Sequence, residues 1–283
     1  MKKKILLTGG NWMLASDFQK YMWARYDIVS FDKNGLDITK IESISQIIGN
    51  IHLDIVLNTA AYTAVDDAED IWNKENFEVN TLWVSFLAQI CKEKNIDFIT
   101  LSTDCVFDGD KKEGYNEKDS QNPINAYGMA KYLGERIAQE IYRNAIIVRI
   151  SWLYGGRKTD KNFVNTILSL AKSERKIKVV DDQYGIPHST YDVCLALWQV
   201  LDTIEFRRGK ILHLSSSSDN LVSRADLARY ICECAGYDVN IIPCSSRKYG
   251  AKAERPKYAL LLNHSDIRLP DWKLGIKKYL KTL

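Results

Sequence analysis

The apolar positions of the first half fall into short, uninterrupted runs separated by longer amphipathic stretches. Lys4-Ile5-Leu6-Leu7, Asp27-Ile28-Val29-Ser30-Phe31, Asp54-Ile55-Val56-Leu57, Phe98-Ile99-Thr100-Leu101 and Ala145-Ile146-Ile147-Val148 read as five strands. Continuous rather than alternating hydrophobicity is the mark of strands covered on both faces. Between them, residues 17–25, 80–94 and 126–140 carry helical patterns. Strands alternating with helices through right-handed crossovers predict an α/β fold, a Rossmann-type doubly wound parallel sheet. From about Ser151 the rhythm loosens. Residues 162–172 and 190–202 read as helices, 178–180 and 211–214 as strands, and 215–220 as a polar loop. A helix then starts at Ser223, with Asp226 at the spacing of a capping box. The expected organisation is a dinucleotide-binding domain over 1–151, with parts of 176–203 able to complete it, and a smaller, mainly substrate-binding α+β lobe over 152–283.

Composition changes this picture little. A chain of 283 residues, 46% hydrophobic and 27% charged, can bury a real core and is not of the disordered or collagen-like classes. Its 39 basic and 36 acidic residues leave a formal charge of only +3, which argues against a nucleic-acid partner. Ile5-Leu6-Leu7 is too short for a secretory apolar region, and no run approaches the roughly 18 residues of a membrane span. A cytoplasmic protein with no membrane partner is expected. Cys91, Cys105, Cys194, Cys232, Cys234 and Cys244 match neither a disulfide framework nor a zinc spacing, and read as reduced, mostly packed thiols.

Three constellations carry chemistry. Thr8-Gly9-Gly10-Asn11-Trp12-Met13-Leu14-Ala15 follows the first strand, where a Rossmann fold brings backbone up to a pyrophosphate at a helix N-terminus. Only the opening of the glycine pattern is intact, and the Trp12 side chain is placed to crowd the phosphates. Asp32, ending the second strand, suits a ribose hydroxyl. Asn58-Thr59-Ala60-Ala61-Tyr62-Thr63-Ala64-Val65-Asp66 follows the third strand with small residues that leave room at the sheet's upper edge. Tyr127-Gly128-Met129-Ala130-Lys131 opens a helix, and residues four apart share a face. A lysine ammonium beside a phenol favours phenolate, and a poised phenol can protonate a carbonyl oxygen as hydride arrives. Thr103, at the end of the fourth strand, offers a hydroxyl to the same carbonyl.

With these go Ser102-Thr103-Asp104-Cys105-Val106-Phe107-Asp108-Gly109, Arg149-Ile150-Ser151-Trp152-Leu153-Tyr154-Gly155, Asn162-Phe163-Val164, Asp181-Asp182-Gln183-Tyr184-Gly185-Ile186-Pro187, Arg255-Pro256 and Leu269-Pro270-Asp271-Trp272. In order, over essentially the whole chain, the set resembles the dTDP-4-dehydrorhamnose reductase family of extended short-chain dehydrogenases. The resemblance implies reduction of the C4 keto group of dTDP-4-dehydro-L-rhamnose by NADPH or NADH. It implies Tyr127 as proton donor, Lys131 on the nicotinamide ribose and Thr103 on the carbonyl oxygen. Asp104 and Trp152 would contact the sugar nucleotide. Asp32, Asp37 and Ile38 would surround the adenosine half, Ala61, Tyr62 and Thr63 the cofactor path, and Gly9, Trp12, Met13 and Leu14 the turn at its phosphates. Glycine is usual where Trp12 stands, an aromatic where Cys105 stands and threonine where His188 stands; the last two departures leave the sugar open.

Arg255 could grip the substrate's diphosphate bidentately, or form a surface ion pair. His52, His213 and His264 read as structural. Asp17 matches one acidic position of a magnesium site in the family, but no metal is expected without its companions. A homodimer is left open. A rival reading from another class is a non-catalytic binding subunit of the same fold, favoured by Trp12 and disfavoured by the intact Thr103, Tyr127 and Lys131.

Overall fold

A computed structural model describes residues 2–32, 35, 41–70, 73–216 and 221–283. Asp37 and Ile38, expected near the adenosine, lie outside the described residues.

The elements run β1 (Lys4–Thr8), α1 (Met13–Met22), β2 (Asp27–Phe31), α2 (Ile41–Asn50), β3 (Ile55–Asn58), α3 (Glu75–Phe77), α4 (Trp83–Lys94), β4 (Asp97–Thr103), α5 (Ala126–Ile141), β5 (Ile146–Ile150) and β6 (Leu153–Tyr154). They continue with α6 (Phe163–Ser173), β7 (Lys176–Val180), β8 (Tyr184–Gly185), β9 (His188–Ser189), α7 (Thr190–Asp202), β10 (Ile211–His213) and β11 (Val222–Ser223). Last come α8 (Arg224–Ala235), β12 (Asn240–Cys244), α9 (Ser246–Tyr249), β13 (Tyr258–Ala259) and α10 (Trp272–Leu280).

Six strands form one parallel sheet in the order β10-β5-β4-β3-β1-β2. The uninterrupted apolar runs are explained by its two covered faces. Ile5 and Leu7 point to a core with Phe18 and Met22 of α1 and Val193 and Leu197 of α7. Leu6 between them points to a core with Ile44 of α2, Trp83 and Leu87 of α4 and Ala138 of α5. That is the period of two expected along a strand. From the second half, α7 packs on α1 and β10 pairs with β5, whereas β7 pairs with β12. Strand 211–213 therefore joins the large sheet and helix 190–202 covers it beside α1, whereas 176–180 pairs elsewhere. A separate apolar core, with Ile177, Ile231, Ile241 and Ile276 at its centre, holds α6, α8, α10, β7 and β12 together.

Two helices differ from expectation. α1 starts at Met13 rather than 17, because Trp12 in extended backbone ends the turn early. The 80–94 helix begins as a π-type bulge at Glu78–Leu82. There the Asn80 side chain leaves the helix surface to bond the backbone N–H and C=O of Tyr62, 3.2 and 3.0 Å away.

Candidate active site

The C-terminal ends of β1, β3, β4 and β5 open onto a cavity of about 590 Å³. Its wall includes Asn11 to Leu14, Ala61, Thr63, Ser102, Thr103, Asp104, Tyr127, Lys131 and Trp152, with Thr159, Asp160 and Lys161 on the side of the second lobe. Ten of the predicted side chains thus meet in one place: Trp12, Met13, Leu14, Ala61, Thr63, Thr103, Asp104, Tyr127, Lys131 and Trp152.

Local packing explains how Tyr127 comes to face β4. The Asn125 side chain caps α5, accepting the Gly128 N–H at 2.7 Å, and donates to the Glu254 carbonyl at 2.8 Å. A Cβ on Gly128 would sit 2.1 Å from the Cys105 carbonyl oxygen, so only glycine lets the first turn of α5 press against the end of β4. Further along, Glu135 ties the helix to β5. Arg149 donates to it through Nε (2.9 Å) and Nη2 (2.6 Å), with both side chains buried. His213 accepts from Arg149 Nη1 at 3.2 Å and reaches the Leu262 carbonyl at 3.0 Å. Burial, with Arg149 adding, lowers its pKa to about 4, so it is a neutral structural histidine.

The electrostatics depart from the sequence expectation. Burial pushes the Tyr127 phenol well above its ordinary pKa; Cys105 and Asp104 add to this, and Thr103 pulls the other way. Lys131 is lowered to about 8 by burial, against the pull of Glu135, and its ammonium donates to the Leu101 carbonyl at 2.7 Å. The phenol is thus held as a protonated donor rather than drawn toward phenolate, because desolvation outweighs the opposing Thr103 hydroxyl and the Lys131 ammonium is bonded to the Leu101 carbonyl. Burial also raises Asp104 to about 6, opposed mainly by the Thr103 hydroxyl, which donates to it at 2.9 Å. Ser102 Oγ is buried with no hydrogen-bond partner.

At the other end, Gly9 adopts φ +70°, and a Cβ there would fall 2.9 Å from Ala60 Cα. Gly9 serves the turn by letting it pass β3. Trp12 is 48% exposed, so its indole forms one wall without being buried in the cavity. No side chain caps α1, and its first turn holds no acid. The start of α1 therefore offers N–H groups and a positive dipole end to a diphosphate. Asp32 accepts hydrogen bonds from Asn11 Nδ2 and, at 3.0 Å, from the Gly35 N–H, which sets it beside this turn.

Three expected residues stand away from the wall or are engaged elsewhere. Tyr62 is bonded through its hydroxyl to Asn73 and through its backbone to Asn80. The Arg255 guanidinium makes a two-pronged pair with Asp66, at 2.6 and 2.7 Å, and holds Asp66 at about 2. Its five donors are therefore largely committed within the chain. His188 bridges the Ser151 carbonyl (2.9 Å) and the Ser216 N–H (3.0 Å), and burial lowers it to about 4. It braces the backbone at Ser151 and Ser216 and is not on the cavity wall.

Trp152 is held in a left-handed backbone conformation at φ 46°, rare for a bulky residue and characteristic of functional sites. A Cβ on Gly185 would fall 2.6 Å from its Cε2 atom. The Arg224 guanidinium lies 3.5 Å from its ring centroid. Arg224 escaped the sequence reading. Its one signal is a basic residue opening a helix, where the dipole favours acids.

Over residues 2–283 the chain matches the family model described as the RmlD substrate binding domain. It is 30% identical to the spore coat polysaccharide biosynthesis protein SpsK of Bacillus subtilis, over 98% of this chain and 97% of that protein. It is 31% identical to a dTDP-4-dehydrorhamnose reductase of Burkholderia thailandensis, over 96% of each. The crystal structure of dTDP-4-dehydrorhamnose reductase from Bacillus anthracis in complex with NADP superposes with a TM-score of 0.93 at 33% identity, covering all of both chains. A fold built on β1 to β5, a cavity at their carboxyl ends and a match along the whole sequence all agree: the chain belongs to the RmlD substrate-binding-domain family.

Proposed function

We propose that this protein reduces the C4 keto group of dTDP-4-dehydro-L-rhamnose, with NADPH or NADH as hydride donor, in the synthesis of an activated deoxysugar for a surface polysaccharide. The observation that carries the reading is the meeting of Thr103, Tyr127 and Lys131 on one cavity whose far end is the uncapped start of α1.

The bound dinucleotide supplies the hydride. The N–H groups opening α1 would hold its diphosphate, Asp32 would meet the adenosine ribose, and Ala61 and Thr63 would flank its path. Lys131, bonded here to the Leu101 carbonyl, would hold the nicotinamide ribose. The Thr103 hydroxyl, turning its one proton from Asp104 to the keto oxygen, orients it, and the Tyr127 hydroxyl gives that oxygen a proton. A phenol kept protonated by burial suits that direction, because reduction consumes one proton at oxygen. Asp104 and Trp152 border the sugar. All these groups come from one chain, so the reading does not depend on whether two copies pair. Its reactants belong to the cytoplasm, and among the described residues no helix is long and apolar enough to cross a membrane.

The test is purified protein with NADPH and dTDP-4-dehydro-L-rhamnose, followed by loss of nicotinamide absorbance and identification of the reduced sugar. Turnover of an epimeric 4-keto sugar instead would reassign the substrate. Failure with every 4-keto sugar nucleotide refutes the reading.

A further inference from the structure

Arg224 is the first residue of α8, in the second lobe. Its guanidinium stacks 3.5 Å from the Trp152 ring centroid and 5.0 Å from that of Phe163. Asp104 and Cys105 lie within Coulombic reach and favour its charge, while burial lowers its pKa to about 10. Among the described residues its side chain makes no hydrogen bond and no ion pair; only its backbone N–H is engaged, with the Gln183 carbonyl at 3.2 Å.

This arrangement is unfavourable as it stands. A guanidinium has five N–H donors, and two aromatic faces accept none of them in a normal hydrogen bond. Arg224 is half-buried; even partial desolvation of a cation without protein acceptors carries a cost, and the amino end of a helix repels it further. The other arginine near this wall, Arg255, is tied to Asp66. Trp152, held in strained backbone, lines the cavity, and the cation with unspent donors is stacked on its ring.

We propose that Arg224 binds the diphosphate of the sugar nucleotide, gripping it with the donors that Trp152 and Phe163 leave free. The inference rests on the reading of the cavity as a sugar-nucleotide site. With the keto end at Thr103 and Tyr127, a sugar nucleotide that runs along Trp152 brings its diphosphate to the arginine stacked on that ring. An anion there supplies the missing acceptors and relieves the clash between the guanidinium and the start of α8. Binding would also fix the indole face that borders the sugar, linking recognition of the diphosphate to placement of the ketone.

The experiment is calorimetric titration of wild type, Arg224→Gln and Arg224→Lys with dTDP, UDP, dTMP and, separately, NADPH. Loss of a bidentate charged contact predicts dTDP binding weaker by roughly 10- to 100-fold in Arg224→Gln, with partial rescue by lysine. dTMP should weaken far less and NADPH by under about threefold. A merely structural arginine, acting by propping Trp152, would weaken dTDP and dTMP alike, and that result overturns the proposal. So does unchanged dTDP binding in Arg224→Gln. If wild type binds no nucleoside diphosphate yet oxidises NADPH with the keto sugar, the proposal alone falls. If both activities are missing, the sugar-nucleotide reading falls and takes the proposal with it.

Discussion

Replacing Lys131 with methionine should remove function without weakening the fold. Lys131 is only 4% exposed, and its bond to the Leu101 carbonyl is made at 2.7 Å. Burial lowers its pKa from 10.5 to about 8. At about 1.36 kcal/mol per pKa unit, that depression means roughly 3 kcal/mol spent in keeping the buried group charged at neutral pH. Methionine fills a similar volume without charge. Leaving the Leu101 carbonyl short of a donor costs about 1–3 kcal/mol in the other direction. The net expectation is a variant between equally stable and about 2 kcal/mol more stable at pH 7. The pH dependence has a definite sign. The folded pKa lies below the unfolded one, so between about 8 and 10.5 the unfolded chain holds more protons and wild-type stability rises with pH. The methionine variant's advantage is therefore full below pH 8 and shrinks toward pH 10.5. Urea denaturation of both proteins at pH 7 and pH 9.5 measures it, and kcat/KM should fall at least about 100-fold. A loss of more than about 2 kcal/mol at pH 7, or an advantage that grows with pH, would refute the reasoning.

Breaking the Glu135–Arg149 pair should be far worse than removing it whole. Glu135→Leu leaves a buried guanidinium and should cost about 3–5 kcal/mol, whereas Glu135→Leu with Arg149→Met should recover most of it; equal melting temperatures for the single and double variants would contradict this. Gly185→Ala puts a Cβ 2.6 Å from Trp152 Cε2 and should displace the indole. Steady-state kinetics should then show kcat/KM for the sugar nucleotide down roughly 10- to 100-fold with NADPH affinity kept; unchanged kcat/KM would show that Trp152 does not border the substrate.

The large sheet was legible because its strands are covered on both faces. Runs such as Ile5-Leu6-Leu7 have no other economical burial, and five strands and the helices at 126–141 and 190–202 follow from it. The second lobe was read less fully. β12 and α10, marked by short and broken patterns, take their form from β7 and α8 against a shared core. At the site, motif residues were legible because chemistry restricts them: Thr103, Tyr127 and Lys131 do line one cavity. What spacing could not give is competition for partners. It offered Arg255 for a diphosphate without seeing Asp66 189 residues earlier, or Arg224 stacked on Trp152. Nor could it weigh desolvation, which reversed the direction expected for the Tyr127 phenol.

The proton-donor assignment is tested most directly by single-turnover hydride transfer from pre-bound NADPH to dTDP-4-dehydro-L-rhamnose in wild type and Tyr127→Phe. Phenylalanine keeps the ring and loses only the hydroxyl. The expected result is a hydride-transfer rate lower by about 100- to 10,000-fold with NADPH affinity unchanged. Transfer at the wild-type rate in Tyr127→Phe would contradict it.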